Sequence, residues 1–464
     1  MALLSKRSFY CVLMLLLAAG WLIPSAAIAQ DDSQAIIQLV MEELKSGDPE
    51  RQSGAIAIVR DIPGEAITKA LSAELPNLSP AIQVQVLSTL ADRGDAGALP
   101  GVVKASQGSD ESVRVAALKA VGQLGNAASV PLLAQRAAEA RGQEQKAARD
   151  SLYRLRGDDI GTAILEHLAS ARANVRVELI RAVGERNITE GVAPLLNATK
   201  DEDRKVRLAA FKVLKVVAGP GDLPALIDRV LNLASASDRT EAEKTVAAVA
   251  HKIEDPSKQA APVLTVLPNV TDIKDRASLL RILGRIGDSA ALPSLRAALG
   301  RNDKALQDAA LRALSDWPTP EPVPDLLEVA ETSTNAVHKV LALRGFVRLL
   351  GLESDRPAAE TVALFRKAMD LAPNVSEKKR VLSGVGGAAS LPALEMASGY
   401  LDDTALRLEA ESAVVRLAGD IRADHKAPCR EALARVIENT KNETIRTQAR
   451  EALDILEGRE PAPN

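Results

Sequence analysis

A single pattern of apolar and polar positions recurs along most of the chain. In residues 110–125, DESVRVAALKAVGQLG, an aspartate is followed by apolar residues at helical spacing, and a glycine closes the run. The apolar positions form one stripe along a helix and are Val113, Ala117, Ala120, Val121 and Leu124. Asp110 is a suitable N-cap, and Gly125 would end the helix in the left-handed conformation. A shorter run with a proline near its start precedes Gly108, so residues 98–125 predict a helix-turn-helix unit.

The second helix of this unit supplies a register for the rest of the chain. With Arg114 as the reference, the equivalent residues are Gln52, Gln83, Arg114, Gln145, Arg176, Arg207, Ala242, Arg276, Gln307, Lys339, Lys378, Arg407 and Arg446. The residue four positions earlier is of an N-capping type in eleven of these thirteen places, and the residue seven positions later is apolar in all of them. A fixed phase of this kind predicts an all-α solenoid of about 13 helix-turn-helix repeats. Around Ala242 the spacing loosens, which predicts a local change of curvature.

The D-x-x-V-R-x-x-A-x-x-A-V/L-x-x-L-G run of residues 110–125 resembles the HEAT-repeat family, in particular its short HEAT-like repeats of the phycobilisome-lyase type. The resemblance covers residues 31 to about 456. It implies that the second helices line a concave surface. It also implies that the reference side chain forms a ladder, in which each member bonds the capped turn of a neighbouring repeat.

The two ends of the chain differ in pattern from the repeats. Residues 1–29 combine Lys6 and Arg7 with an apolar run and a small-residue Ala-Ile-Ala end, which predicts a secretory signal peptide cleaved before Gln30. An uncleaved membrane anchor is the alternative, since the apolar run is nearly long enough to span a bilayer. We expect residues 30–456 to form the solenoid, residues 457–464 to form a disordered tail, and the mature protein to be periplasmic or secreted without membrane insertion.

Charge and composition exclude some functions. The chain has 58 basic and 61 acidic residues, and removal of the leader makes it more acidic, so non-specific nucleic-acid binding is not expected. Aromatic residues make up 2% of the sequence. The core must therefore be built from Leu, Val, Ile and Ala, which let helices approach closely.

One basic position could carry a binding function. The residue five positions after the reference is basic in six repeats, on the side of the second helix opposite the apolar stripe. We call this set the basic ridge; its members are Lys119, Arg181, Lys212, Arg281, Arg312 and Arg344. The ridge could bind a protein or an acidic extended peptide. The alternative is a solvated face whose charge is balanced by acids such as Glu178 and Glu185.

Catalytic chemistry is not indicated. The four histidines, His167, His251, His338 and His425, lie in separate repeats, and none has a second metal ligand at helical spacing. Cys429 is the one thiol left after leader cleavage, and no His-Cys arrangement accompanies it. We therefore expect no metal, no cofactor and no enzyme activity.

The sequence favours a non-enzymatic exported scaffold that binds a protein or an extended peptide on its concave surface. The alternative is a HEAT-like enzyme of the dimetal hydroxylase or phycobilin-lyase type. The hydroxylases carry His-Glu dyads that this chain lacks, and an export signal argues against the lyases.

Overall fold

The computed structural model describes residues 30–60, 62 and 64–459, with side chains from residue 34 onward. The predicted leader, residues 1–29, and residues 460–464 of the predicted tail lie outside this part. The described chain contains 26 α-helices and no strand, which confirms the all-α fold class.

The helices form thirteen consecutive pairs, in agreement with the predicted number of repeats. We call the first helix of each pair the A helix and the second the B helix. The A helices are α1 (Gln30–Lys45), α3 (Glu65–Glu74), α5 (Leu99–Ala105), α7 (Val130–Glu139), α9 (Ile160–Ser170), α11 (Val192–Ala198), α13 (Leu223–Leu231), α15 (Ala261–Val266), α17 (Leu292–Leu299), α19 (Val323–Thr332), α21 (Ala358–Leu371), α23 (Leu391–Ser398) and α25 (Lys426–Asn439). The B helices are α2 (Pro49–Val59), α4 (Pro80–Arg93), α6 (Glu111–Leu124), α8 (Gly142–Arg154), α10 (Ala173–Glu185), α12 (Arg204–Val217), α14 (Ala236–Ala250), α16 (Ile273–Ile286), α18 (Lys304–Ser315), α20 (Ala336–Leu350), α22 (Val375–Val385), α24 (Arg407–Ile421) and α26 (Glu443–Glu457).

Most B helices begin at the predicted caps. A side-chain oxygen at the predicted position accepts a backbone N–H of the first turn at Asp48, Asp110, Asp203, Asp272, Asp303, Asn335, Asn374 and Asn442. Asp238 is an exception, because α14 begins one turn earlier and its cap is Ser235. Asp403 caps the turn before α24, whose N-cap position is Leu406.

Two residues that were predicted to end helices do so for different physical reasons. Asn187 has a φ of 50°, as expected for a residue that tolerates the left-handed region. Gly125 has a φ of −73° and a ψ of 170°, so the prediction of a left-handed cap was wrong there. A Cβ on Gly125 would lie 2.4 Å from the Val121 carbonyl oxygen. Glycine is required at this position because of space, not because of φ.

The chain divides into two compact units. The N-terminal unit contains the described residues up to Pro194 together with Asp201–Ala209, and the C-terminal unit contains Leu195–Lys200 and the chain from Ala210 onward. Within each unit, most consecutive B helices pack against one another, and most A helices pack on the B helix of their own repeat. Each unit is therefore a two-layer stack in which the B layer provides most of the contacts between repeats.

Close approach of B helices depends on small residues. A Cβ on Gly122 of α6 would lie 2.7 Å from the Ser151 Cβ of α8. In the C-terminal unit, a Cβ on Gly284 of α16 would lie 2.4 Å from the Ala313 Cβ of α18. Gly122 and Gly284 both lie eight positions after the reference, so the two units use the same packing rule.

The apolar position seven residues after the reference forms the centre of the core. Its side chain is completely buried in the first twelve repeats, from Val59 to Val414. Leu453 of the last repeat is half-buried, because no further repeat covers that side of α26 in the described chain. The aromatic residues contribute the largest buried side chains, and Trp317 and Phe211 are fully inaccessible.

The reference side chain bonds mainly within its own repeat. Its donors reach carbonyl oxygens at the end of the preceding A helix or in the turn that follows, as when Gln52 Nε2 donates to the Leu44 oxygen over 2.7 Å. The same arrangement holds for Gln52, Gln83, Arg114, Gln145, Arg207, Arg276, Gln307, Arg407 and Arg446. The predicted bond to a neighbouring repeat was therefore wrong for most members, because a side chain in the first turn of a B helix lies beside the turn just before it. Arg176, which donates to Asp201 in the next repeat, matches the prediction.

A second set of basic residues makes the links between repeats. These residues lie at the C-terminal ends of B helices and donate to the last carbonyl oxygens of the preceding B helix. They are Arg93, Arg186, Lys252 and Arg348. Arg186 Nη1, for example, lies 2.7 Å from the Tyr153 oxygen. Cations are favourable there because the carbonyls that end a helix carry partial negative charge.

The irregular seventh repeat replaces its missing reference side chain. Ala242 offers no donor, and Arg239, one turn earlier on α14, donates instead to the Leu233 oxygen in the turn of its own repeat. Arg239 also lies 2.6 Å from Asp275 of α16 and is 5% exposed. In this repeat the hydrogen bond to the preceding turn is therefore made from a position three residues before the reference.

Candidate functional site

The basic ridge lies on six B helices and is divided between the two units. Lys119 and Arg181 belong to the N-terminal unit; the C-terminal unit holds Lys212, Arg281, Arg312 and Arg344. Arg281 is half-buried and the other five are exposed. Position 119 is occupied by Asp150 in α8 and by Ala247 in α14, so the ridge is interrupted once in each unit.

Three ridge arginines pair with buried glutamates. Arg181 lies 2.6 Å from Glu178 on its own helix. Arg281 of α16 reaches back 2.6 Å to Glu243 of α14, and Arg344 of α20 reaches forward 2.5 Å to Glu377 of α22. The three glutamate side chains are between 2% and 5% exposed.

These pairs have a structural function, because a carboxylate that is removed from water needs a charged hydrogen-bonding partner. Hydrogen bonding from Arg344 holds the pKa of Glu377 below its usual value against the opposing effect of burial. For Arg181, Arg281 and Arg344 the structure therefore favours the balanced-charge alternative. It also identifies the carboxylates, of which Glu178 was expected and Glu243 and Glu377 were not.

The remaining ridge members are exposed cations. Lys119, Lys212 and Arg312 form no ion pair with another described residue within 4 Å. Lys212 exerts a longer-range Coulombic attraction on Glu241. These three side chains are the part of the ridge that has no carboxylate within 4 Å in the described chain.

Two grooves lie between consecutive B helices, and each contains ridge residues. The groove between α4 and α6, in the N-terminal unit, has a volume of about 620 Å³ and is lined by Leu87, Ala91, Val115, Ala116 and Lys119, among others. The groove between α16 and α18, in the C-terminal unit, has a volume of about 590 Å³. Its lining includes Ile273 and Ala305 at one end and Arg281 and Arg312 at the other.

Exposed apolar side chains are concentrated in the C-terminal unit. Among the described residues, all six large hydrophobic side chains with high exposure belong to it. Four of them lie near the N-terminal ends of B helices; we call these the apolar row, which consists of Ile273, Val337, Val375 and Leu408. Their exposed fractions are between 47% and 68%.

Sequence reasoning did not find the apolar row. A signal was present, since Ile273 and Val375 directly follow the capping residues of their helices and Val337 follows its cap by two positions. These positions precede the first buried residue of the stripe, so an apolar residue there is not required by the core. The row is interrupted at α18, where Ala305 occupies the position that Val337 has on α20.

Two of the four histidines and the cysteine have structural surroundings. The buried His338 Nε2 lies 2.5 Å from Asp308 of α18, and His251 bonds Gln259 and the Arg285 oxygen. Cys429 is completely buried, which raises the pKa of its thiol. Within the described chain, no three potential metal ligands come together.

None of the described helices combines the length and the apolar character needed to cross a bilayer. The predicted leader lies outside the residues to which this finding applies.

Solved structures with the same architecture include Kap121p and yeast importin-β. Kap121p bound to Nup53p has a TM-score of 0.53 at 11% identity; the match covers 93% of this chain and 54% of Kap121p, so the chain spans about half the length of that protein. Yeast importin-β, Kap95p, has a TM-score of 0.50 at 13% identity, with 94% and 67% covered. Human deoxyhypusine hydroxylase is 18% identical over 61% of this chain and 96% of its own, with a TM-score of 0.24, which is too low to support an argument.

Sequence comparison identifies the family. No curated protein gives a significant match. The profile of HEAT repeats matches residues 67–152, 162–248 and 260–345, which together make up more than half of the chain. These segments lie within the thirteen helix pairs, and the chain therefore belongs to the HEAT-repeat family.

Proposed function

We propose that the protein is an exported, non-enzymatic scaffold that binds a protein or an extended peptide on the exposed face of its B helices. The observation that carries this proposal is the combination of grooves between B helices with cations that have no carboxylate partner. Kap121p, which has the same fold, was solved bound to Nup53p. Large surfaces built from repeated helices suit such partners because each repeat adds one similar contact.

The expected partner is acidic. Lys119, Lys212 and Arg312 are exposed and form no ion pair within the described chain, so a partner carboxylate would not have to displace an internal one. Attraction between such exposed charges accelerates association and is screened by salt. Binding should therefore weaken as ionic strength increases.

A charge-reversal experiment tests the proposal. The full chain is used to capture partners from the exported fraction, and the captured partner is then measured against the variant Lys119→Glu/Lys212→Glu/Arg312→Glu. We expect slower association at low salt with unchanged helicity by circular dichroism. The matched control is Lys104→Glu/Arg301→Glu/Lys441→Glu, which changes three exposed cations that lie off the ridge and form no ion pair within 4 Å in the described chain. Unchanged association of the triple variant at low salt would show that the ridge is a solvated face.

Export is a separate part of the proposal and has its own test. The leader pattern of residues 1–29 supports it. Fractionation of the native host, followed by N-terminal sequencing, should place the protein outside the cytoplasm with Gln30 as its first residue. A cytoplasmic protein that retains the leader would contradict export and leave the binding proposal intact.

A further inference from the structure

The C-terminal unit presents two parallel sets of side chains on its B layer. One set is the apolar row. The other consists of the ridge residues Arg281 on α16, Arg312 on α18 and Arg344 on α20. On α16, Arg281 lies eight positions after Ile273. Eight residues of α-helix correspond to about 12 Å along the axis. The groove between α16 and α18 joins the two sets, because its lining includes Ile273 and Ala305 as well as Arg281 and Arg312.

The apolar row is unusual because its members recur at the starts of B helices. A single exposed valine or leucine is normal on a protein surface. Here four such side chains lie near the same ends of α16, α20, α22 and α24, in a series in which each B helix from α16 to α24 packs on the next. None of the four is needed to fill the core, since each is about half exposed or more.

The spacing of the row matches an extended chain. Packed helices lie about 8 to 10 Å apart, and an extended chain advances about 3.3 Å per residue. A segment that crosses the B helices therefore meets one helix about every three residues. To contact each member of the row, the segment needs an apolar side chain at about every third residue.

The charge of the surface determines what lies between those apolar side chains. Of the three basic residues beside the row, Arg312 has no ion-pair partner within the described chain, whereas Arg281 and Arg344 already bind glutamates. Lys274 is exposed beside Ile273 and lines the same groove. Asp272 and Asp308 also line this groove, but Asp272 accepts the backbone N–H of Asp275 and Asp308 lies 2.5 Å from His338 Nε2. A carboxylate on the partner would therefore be directed to Arg312 and Lys274.

We propose that the apolar row and the adjacent Lys274 and Arg312 bind an extended segment of a partner protein that has apolar side chains about every third residue and carboxylates between them. This inference rests on the proposed scaffold function and specifies its partner and its place in the C-terminal unit. The row gives affinity through burial of apolar surface. The cations select against basic segments.

Fluorescent peptides of defined pattern test the inference on the full chain. The probe is a fifteen-residue peptide in which Leu-Asp-Ser is repeated five times. One control peptide has Lys in place of every Asp, and another has Ser in place of every Leu. Fluorescence anisotropy should show binding of the probe with an affinity at least tenfold higher than that of either control peptide.

Protein variants locate the site. Ile273→Ser/Val337→Ser/Val375→Ser should weaken probe binding by at least about tenfold, because three apolar contacts are lost. The matched control is Ile455→Ser, which removes a side chain of 50% exposure outside the row. Arg312→Ser should weaken binding by about tenfold at low salt and by less at high salt. The exposed Arg301 lies in the turn before α18, and Arg301→Ser should leave binding unchanged.

The outcomes separate this inference from the scaffold proposal. Equal binding of the Leu-Asp-Ser and Leu-Lys-Ser peptides, or unchanged binding by the row variant, would overturn it. If wild-type protein formed a dimer in sedimentation that the row variant abolished, the surface would belong to a second copy and the peptide assignment would also be wrong. In either case, loss of the captured natural partner in the ridge triple variant would still support the scaffold function.

Discussion

The two units have the same internal architecture and different B-helix surfaces. In the N-terminal unit the positions just after the caps are small or polar, such as Ser112 on α6, Gln143 on α8 and Asn174 on α10. In the C-terminal unit Ile273 directly follows its capping residue and Val337 lies two positions after its own, and both side chains are exposed. The core therefore determines only part of the B-helix sequence. The rest of the helix surface is free to acquire function.

The largest predicted effect concerns the packing rule that the units share. Gly122→Val and Gly284→Val should each destabilise the protein by about 3 kcal/mol or more, because the added side chain overlaps atoms of the next B helix. Denaturant unfolding of each variant measures the loss. As a control, Gly419→Ala on α24 meets no atom within 4 Å and should be neutral or slightly stabilising. A large loss at one glycine and none at the other would show that the units are packed differently.

The next effect distinguishes structural from free cations on the ridge. Arg344→Ala leaves the buried Glu377 with the more distant Arg380 at 3.6 Å, so we expect a loss of about 2 kcal/mol. Arg312→Ala breaks no ion pair of the described chain, and surface substitutions of this kind change stability by less than about 0.5 kcal/mol. Thermal or urea unfolding of the two variants should differ accordingly. Equal stabilities would mean that the pairs with buried glutamates do not stabilise the fold.

The Glu377 carboxylate should also make the stability of the protein depend on pH in the acid range. The pKa of Glu377 is lower in the folded protein than in the unfolded chain, because Arg344 donates hydrogen bonds to the ionised form. Its contribution to stability is therefore present above the unfolded pKa and is lost as the pH falls through the folded one. Urea unfolding between neutral pH and about pH 3 should show a smaller acid-induced loss for Glu377→Gln than for the wild type. An identical pH profile for both proteins would contradict this assignment.

The fold could be predicted from the sequence because repetition averages out local ambiguity. A cap and an apolar residue in constant phase recur thirteen times, so an exception such as Asp238 did not disturb the number of helix pairs. The direction of the reference side chain could not be predicted in the same way. A donor in the first turn of a B helix can reach either its own turn or a neighbour, and the difference is decided by three-dimensional distances, as Gln52 and Arg176 show.

The candidate site was less accessible to sequence reasoning. The register placed all six ridge residues at one position of their B helices, yet it could not show that Arg281 binds Glu243 on another helix, 38 residues away in the chain. The apolar row was overlooked because hydropathy alone does not separate an exposed valine from a buried one. Exposure depends on which neighbouring helix covers the side chain, and the sequence does not contain that information locally.

The smallest predicted effect on stability is the most informative about the row. Val337→Ser changes a side chain that is 68% exposed, and Val121→Ser changes one that is completely buried at the core position of α6. The buried substitution should cost about 3 kcal/mol, because it removes packed apolar volume and buries a hydroxyl. The exposed one should change the free energy of unfolding by less than about 0.5 kcal/mol. A row that is dispensable for folding and required for peptide binding has a function in recognition; if Val337→Ser destabilised the protein as much as Val121→Ser, the row would belong to the core and the contrast between the two units would disappear.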